Sequence, residues 1–455
     1  MNRRNLLAGM GAAAAAIPLW PPARAASIMT NADLRGSINA ADLGFRPGAF
    51  DDQSRIFERI LNDASAHNQP VFLPPGIYIV SNLKLPPRVR INGVSGASRI
   101  VYGGEGHLLV AEDSEILELS NLVIDGQNRG LGEYASGLVE ARRVQLCNID
   151  SCEIIGSSKN AISLERGAGR IERNRISGAS DSGIYSVEAA GLQIADNIVA
   201  DCANGGILAH RWQAAEDGTI ISGNRISRIS ASNGGTGQYG NGINVFRAGN
   251  VQVSNNIISD CAFSAIRSNS GNNVQILGNN CARSGETAIY SEFAFEGAVI
   301  SNNVVQGAAN GISIANFNEG GRLSIVSSNL VRDLSDKGPY PPDAPGFGIG
   351  VHVEADTAVT SNVIENAPLY GINIGWGAFM RNVTATSNVI RKAGEGIAVT
   401  VVDGAGSAVI TDNVISDTQK GAIMGHRWVD IATSDMALNG NQGFENLTVE
   451  RNRAG

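Results

Sequence analysis

From residue 150 onward one phrase recurs along the chain: an aliphatic residue, two polar or small residues, Asn, any residue, then another aliphatic. It reads Ile171-Glu-Arg-Asn174-Arg-Ile176, then Ile194-Ala-Asp-Asn197-Ile-Val199. It returns around Asn224, Asn256, Asn279, Asn303, Asn329, Asn362, Asn388 and Asn413, and as a last fragment at Asn452. Cys152 holds the same slot one turn earlier. Nine or ten residues after most slots comes Gly-Ile or Ala-Ile, as at Gly183-Ile184, Gly206-Ile207, Ala265-Ile266 and Ala288-Ile289. Repeats of 22 to 33 residues mark a solenoid, in which each unit buries its apolar face only against its neighbours.

Each repeat holds two short strings of alternating apolar residues between Gly, Asn, Asp and Ser turns, the pattern of strands. No repeat has room for a helix, and none carries a regular Leu frame, which excludes helical and leucine-rich solenoids. The composition agrees: 55 Gly and 43 Asn among 455 residues are poor material for helix interiors. The remaining architecture is an all-β, single-stranded parallel β-helix of about 12–14 coils over 81–455, with strands stacked at ~4.8 Å. The recurrent Asn is expected to stack as an amide ladder inside one turn. Four residues after the slot, Asp201, Arg228, Asp260 and Arg283 alternate in sign, which suits a structural column. Hydrophobic content of 43% excludes bulk disorder.

The N-terminus reads as an address. Asn2-Arg3-Arg4-Asn5 precedes an apolar stretch from Leu6 to Leu19, and Ala23-Arg24-Ala25 is a small-x-small cleavage site. The arginine pair makes residues 1–25 resemble a twin-arginine export signal, which implies a periplasmic or secreted protein handled by that machinery. No later apolar run approaches the ~20 residues of a membrane span. Loss of Arg3, Arg4 and Arg24 takes the formal net charge from −8 to −11, which argues against nucleic-acid binding. Five cysteines without a CxxC fit neither a disulfide framework nor a metal cluster. Cys202 and Cys261 fall in one column two coils apart, ~10 Å at ~4.8 Å per coil, too far for a disulfide.

Ala41-Asp42-Leu43-Gly44-Phe45-Arg46-Pro47-Gly48 is followed by Asp51-Asp52, an amphipathic stretch from Gln53 to Ala66, and Leu73-Pro74-Pro75-Gly76-Ile77-Tyr78. This resembles the N-terminal signature of the pectin-lyase-like superfamily of right-handed parallel β-helices. The resemblance implies a right-handed solenoid whose residues 26–80 form a capping helix and first strand. With the export signal, the chain also resembles a bacterial family of twin-arginine-translocated repeat proteins of unknown function. The superfamily's hydrolase signatures, the lyase's aspartate-built calcium site and the epimerase's Asp-Pro-His motif are not found here. No metal or cofactor is therefore expected; a calcium ion lacks a motif.

Function in such a solenoid sits where regularity breaks. Asn224 to Ile243 takes 19 residues and Asn329 to Ile349 takes 20, so loops at 230–241 and 333–346 leave the same turn four coils apart. They are expected to wall a groove ~19 Å long. With Ile facing in, the first outward position reads Asn244, Arg267 and Tyr290 in consecutive coils. The third reads His210, Phe246, Asn269 and Glu292, with His352 and His426 further along, and the fourth adds Arg211 and Arg247. His-Arg-Trp occurs twice, at 210–212 and 426–428, and Trp376 falls near the same corner.

Hydrolysis of a glycoside needs two carboxylates, and this groove offers only Glu292. Elimination or C5 epimerisation of a uronic acid needs a group to neutralise the sugar carboxylate and a base for the C5 proton. Arg267, Tyr290, Glu292 and His210 are the candidate catalytic residues. Asn244, Asn269, Arg247, Arg211, Trp212 and His352 are the candidate substrate contacts. The expectation is one open, locally positive patch suited to an acidic polysaccharide, on a lyase- or epimerase-like enzyme. The alternative is a non-catalytic glycan-binding or envelope scaffold. Arg267 is expected to be exposed and to matter little for stability.

Overall fold

The structure is a computed structural model and describes residues 36–455 except 316, 317 and 319. The export signal at 1–25 lies outside the described residues. The chain winds about 13 turns of an all-β parallel solenoid. One coil runs through strands Gly169–Glu172, Arg175–Ser177 and Ser182–Val187; the next through Gln193–Ala195, Ile198–Cys202 and Gly205–Glu216. Three faces result. The first is a 16-stranded sheet. Its pairing is parallel throughout, and among the described residues an antiparallel contact appears only on the other faces, where His426 and Arg427 meet Ile431 and Asp430.

The registers explain the sequence pattern. Ile171, Ile194 and Ile221 pair in line on the first face. Ile176, Val199 and Ile226 do so on the second, and Ile184, Ile207 and Ile243 on the third. All are fully buried, so the core is three aliphatic stacks, each side chain contributing about 1.5–3 kcal/mol. The Gly before the third-face Ile is a close-approach position. A Cβ on Gly242 would lie 2.6 Å from the Ile258 side chain.

The Asn ladder runs unbroken from Asn174 to Asn452. Each Nδ2 donates to the Oδ1 of the next Asn at 2.9–3.0 Å, as from Asn197 to Asn224 and from Asn256 to Asn279. It also donates to a main-chain carbonyl of the coil before, as Asn256 does to Ile221. The same Oδ1 takes the backbone N–H of the preceding Asn. Every polar atom of the buried amide is thereby satisfied, and the residue just before it is left-handed, as at Asp196 and Asn255. The charged column forms too: Arg228 grips Asp201 and Arg283 grips Asp260 through paired bonds of 2.6–2.8 Å. All five cysteines are free and buried, and Cys202 and Cys261 are separated by Ile229 in the same column. Burial pushes the Cys202 and Cys281 thiols up to about 12.

At the N-terminus the helix Ser54–Ala66 buries Phe57, Ile60, Leu61 and Ala64. Phe57 stacks on Phe45 at 4.3 Å, and Phe45 on Tyr78 at 4.6 Å, tying the helix to the first long strand, Gly76–Val80.

Replacing Asn256 by Ala in mid-ladder strips the acceptor from two buried donors of Asn224. The expected loss is about 2–4 kcal/mol, measured as a lowered denaturation midpoint, because each unpaired buried donor costs about 1–3 kcal/mol. Asn452→Ala, at the partly buried end of the ladder, should cost clearly less. Equal losses at the two positions would contradict the ladder's role.

Candidate functional site

On the third face the outward columns stack as the spacing requires. Asn244, Arg267 and Tyr290 are register partners in consecutive coils, and so are His210, Phe246, Asn269 and Glu292. His352 differs. The inward mark of its coil is Val351, which pairs with Ile312, while Ile349 pairs with Tyr370. Gly348-Ile349 and Gly350-Val351 both match the repeat signature, and a strand's period of two keeps His352 outside in either register. The slip moves it one column, beside Ser313 and Asn373 and away from Glu292.

Arg267 is the centre of the site, and it is not exposed. It is 8% accessible, and its partner Glu292 is 2% accessible. Nε and Nη2 bind the two oxygens of Glu292 at 2.6 and 2.9 Å, and Nη1 reaches Glu286 at 3.2 Å. The guanidinium lies over the Tyr290 ring, 5.1 Å from its centroid. Asn269 donates to Glu292 as well, at 3.1 Å. Burial raises the Glu286 carboxyl, with Arg267 opposing it, and the Tyr340 hydroxyl donates to its Oε1. The expectation that Arg267 is exposed is therefore wrong. Loops cover the pair: Gly237 has no space for a Cβ beside the Arg267 guanidinium. Tyr340 crosses from the 333–346 loop to lie beside Phe263.

That crossing also divides the expected groove. Instead of one open gap between the loops, two cavities lie on either side of Arg267. The larger is about 620 Å³. Its walls carry four rings, Tyr185, Tyr239, Phe246 and Phe293, and the neutral side chains of Asn160, Ser182, Thr236, Gln238, Asn244 and Asn269. Asp181, Arg267, His210, Leu208 and Gly237 complete it. The smaller, about 180 Å³, is lined by Glu286, Tyr290, Tyr340, Asp343 and His352. So His210, Asn244, Asn269 and Arg267 share one cavity, and Tyr290 and His352 the other. Glu292 lines neither and acts through Arg267.

His210 stands between Tyr185 and Phe246, each ring 5.5 Å away edge-on. Burial pushes its pKa down to about 4, so the imidazole is neutral at ordinary pH. Its Nε2 and the Oδ1 of Asn244 are buried without a hydrogen-bond partner among the described residues. His352 has both nitrogens engaged, Nδ1 by Asn373 at 2.8 Å and Nε2 near Glu354 at 3.4 Å. Accepting from the Asn373 amide leaves its Nδ1 no lone pair for a substrate proton.

Of the positive character expected of Arg211 and Arg247, only Arg247 supplies any. Arg211 is clamped between Glu188 at 2.6 Å and Asp217 at 3.4 Å. It leaves the column because the strand bulges between His210 and Ala215. Arg247 is exposed, lies over Phe246 at 4.7 Å and donates to the Trp212 carbonyl. Trp212 stands outside the cavity with Arg166 over its ring at 4.6 Å. Sequence reasoning missed Glu286, Tyr340, Tyr185 and Asp181. Tyr185 is in the Asn244 column and was open to the same argument. Tyr340 lies 54 residues from Glu286, and no local signal joins them. Among the described residues no cluster of His, Cys, Asp or Glu could hold a metal ion, and no helix is long and apolar enough to cross a membrane.

The sequence model for the right-handed beta helix region matches residues 136–234 and 212–388, more than half of the chain. The chain belongs to that family. No curated protein matches its sequence. Among solved structures, the pre-mature gene product 12 of bacteriophage phi29 is similar at 14% identity and a TM-score of 0.56, over 86% of this chain and 70% of that one. The A-module of mannuronan C-5 epimerase AlgE6 from Azotobacter vinelandii is 15% identical over 92% of this chain and 99% of its own, with a TM-score of 0.47. The phage protein shares the β-helix fold, and neither likeness carries an activity over to this chain.

Arg267→Ala leaves two carboxylates buried without their cation. It should cost about 3–5 kcal/mol at neutral pH, the usual result of breaking a buried pair. Burial already raises the Glu286 carboxyl against the pull of Arg267, so without Arg267 the folded state binds a proton there more readily than the unfolded chain. Stability of the variant should therefore rise as pH falls and be lost as pH rises. Thermal melts of both proteins from pH 4 to 8 test this; a loss independent of pH would deny the electrostatic cause.

Proposed function

We propose that the chain is an exported polysaccharide-binding β-helix whose third face takes a glycan strand in the larger cavity. The observation that carries this reading is the lining of that cavity. Four aromatic rings and six neutral amide or hydroxyl side chains surround a cation already neutralised by two carboxylates. Sugar rings present C–H faces that stack on aromatic rings, and hydroxyls that match amides as both donors and acceptors. The unpartnered Oδ1 of Asn244 and Nε2 of His210 offer acceptors for such hydroxyls.

This geometry favours binding over the elimination or epimerisation that the sequence suggests. Those reactions need a group that neutralises the uronate; Arg267 and Arg211 are each committed to two carboxylates, which leaves only the weaker amide donors of Asn244 and Asn269 inside the cavity. Arg247, at the rim, is the cation best placed for an acidic substituent. A catalytic second reading draws support from the neutral His210, whose free nitrogen could accept a proton.

Affinity electrophoresis of the mature protein against neutral and uronic-acid polymers tests the proposal. Retention by at least one polymer is expected, and Phe246→Ala should weaken it about tenfold, ~1.4 kcal/mol. No retention by any polymer would overturn the binding reading. An unsaturated, ultraviolet-absorbing product would replace it with a lyase.

Export belongs to the same proposal, supported by Arg3-Arg4, the apolar stretch to Leu19 and Ala23-Arg24-Ala25. Changing Arg3-Arg4 to Lys-Lys should stop delivery, because the twin-arginine route reads the pair as an address. Normal delivery of that variant, followed by cell fractionation, would assign the signal to the general secretory route.

A further inference from the structure

The two His-Arg-Trp segments are built alike in the fold. Each His sits in the third outward column, His210 paired with Phe246 and His426 with Thr400. Each has a tyrosine ring 5.5 Å away, Tyr185 for His210 and Tyr370 for His426. Each keeps one buried ring nitrogen without a partner among the described residues, Nε2 in His210 and Nδ1 in His426. Each is followed two residues later by a tryptophan that leaves the solenoid and is about half exposed, Trp212 at 48% and Trp428 at 49%.

The second copy adds a feature that the first lacks. The Nε2 of His426 lies 2.7 Å from Glu395, a fully buried carboxylate that also has Lys420 at 3.7 Å. The carboxylate accepts a hydrogen bond from Nε2 and leaves Nδ1 as the ring nitrogen open to a ligand or water. A cavity of about 10 Å³ lies against His426, Tyr370, Trp376 and Trp428, the space that one water fills. Trp376 meets Trp428 edge-on at 5.5 Å and holds its half-exposed ring at the surface. The hollows follow one another along the third face: the 620 Å³ cavity, the 180 Å³ cavity, then this one, with Pro345 lining both of the last two.

We propose that Trp376, Trp428 and the Glu395–His426 pair form a second sugar subsite, so that the ligand is a polymer lying along the solenoid axis and engaging both ends. A sugar ring stacks on the exposed Trp428 ring, and Nδ1 of His426 holds one of its hydroxyls through a single water. Eight coils separate His210 from His426, which sets the span at ~38 Å for ~4.8 Å per coil. This inference rests on the glycan reading of the larger cavity. It adds a chain-length requirement that the reading alone does not make, because two linked contacts gain affinity only when one ligand reaches both.

The test uses a polymer that the wild type retains, cut to oligomers shorter and longer than the span, with dissociation constants measured by calorimetry. Affinity should step up by about 10²-fold or more once the oligomer reaches across both subsites. Trp428→Ala, at an exposed position, should abolish the step while short-oligomer affinity stays at the wild-type value. His426→Gln, checked for folding by its melting temperature, should reduce the step; a step that survives both substitutions overturns the second subsite. A smooth, length-independent affinity would overturn it while leaving the cavity reading intact, whereas an absence of binding by every polymer would overturn both.

Discussion

Everything in this molecule depends on a hydrogen bond between two identical side chains. An Asn amide has one acceptor group and two donor hydrogens. In the turn between the first and second faces, each is used to join one coil to the next. Because the partner is the same residue in the adjacent coil, the bond can be repeated without limit, and it fixes rise and register together. The aliphatic stacks then supply the burial energy, but they would tolerate a slip by two residues. The ladder does not, since a displaced Asn would leave buried polar atoms unpaired.

That regularity is what lets irregular residues build a site. Outward side chains one coil apart are held ~4.8 Å from each other, close enough for a guanidinium on one coil to grip a carboxylate on the next. On the exposed corner this gives Asp201–Arg228 and Asp260–Arg283, open to water and worth little. On the third face the same spacing gives Arg267 with Glu286 and Glu292, but there the two long loops cover it. The difference between a solvated ladder and a buried charge cluster is made by the cover, not by the residue types.

The consequence for recognition is a face with polar variety but few uncommitted charges. Arg267 and Arg211 are neutralised within the fold, and His210 is held neutral by burial. What remains for a ligand is mainly rings and neutral hydrogen-bonding groups, with Asp181 in the larger cavity and Arg247 beside Phe246. Glu395 with His426 repeats the theme at the far end, a buried acid with its cationic or imidazole partners supplied by neighbouring coils.

The sequence by itself determined the solenoid, the Asn ladder, the separation of Cys202 from Cys261, and which side chains of the third face stand in one column; it showed two strings per repeat where each coil has three strands. These follow from a period of two along each strand and from a fixed offset between Asn and Ile, both local quantities. It did not determine the depth of Arg267, the division of the groove by Tyr340, or the clamping of Arg211 by Asp217. It also misplaced His352, because two adjacent Gly–aliphatic pairs fit the repeat equally well. These outcomes depend on where long loops fold back and on partners up to 54 residues away. Burial and charge pairing are properties of that three-dimensional neighbourhood, so the tertiary structure alone decided which of the outward residues faces a ligand and which is spent on holding its neighbours.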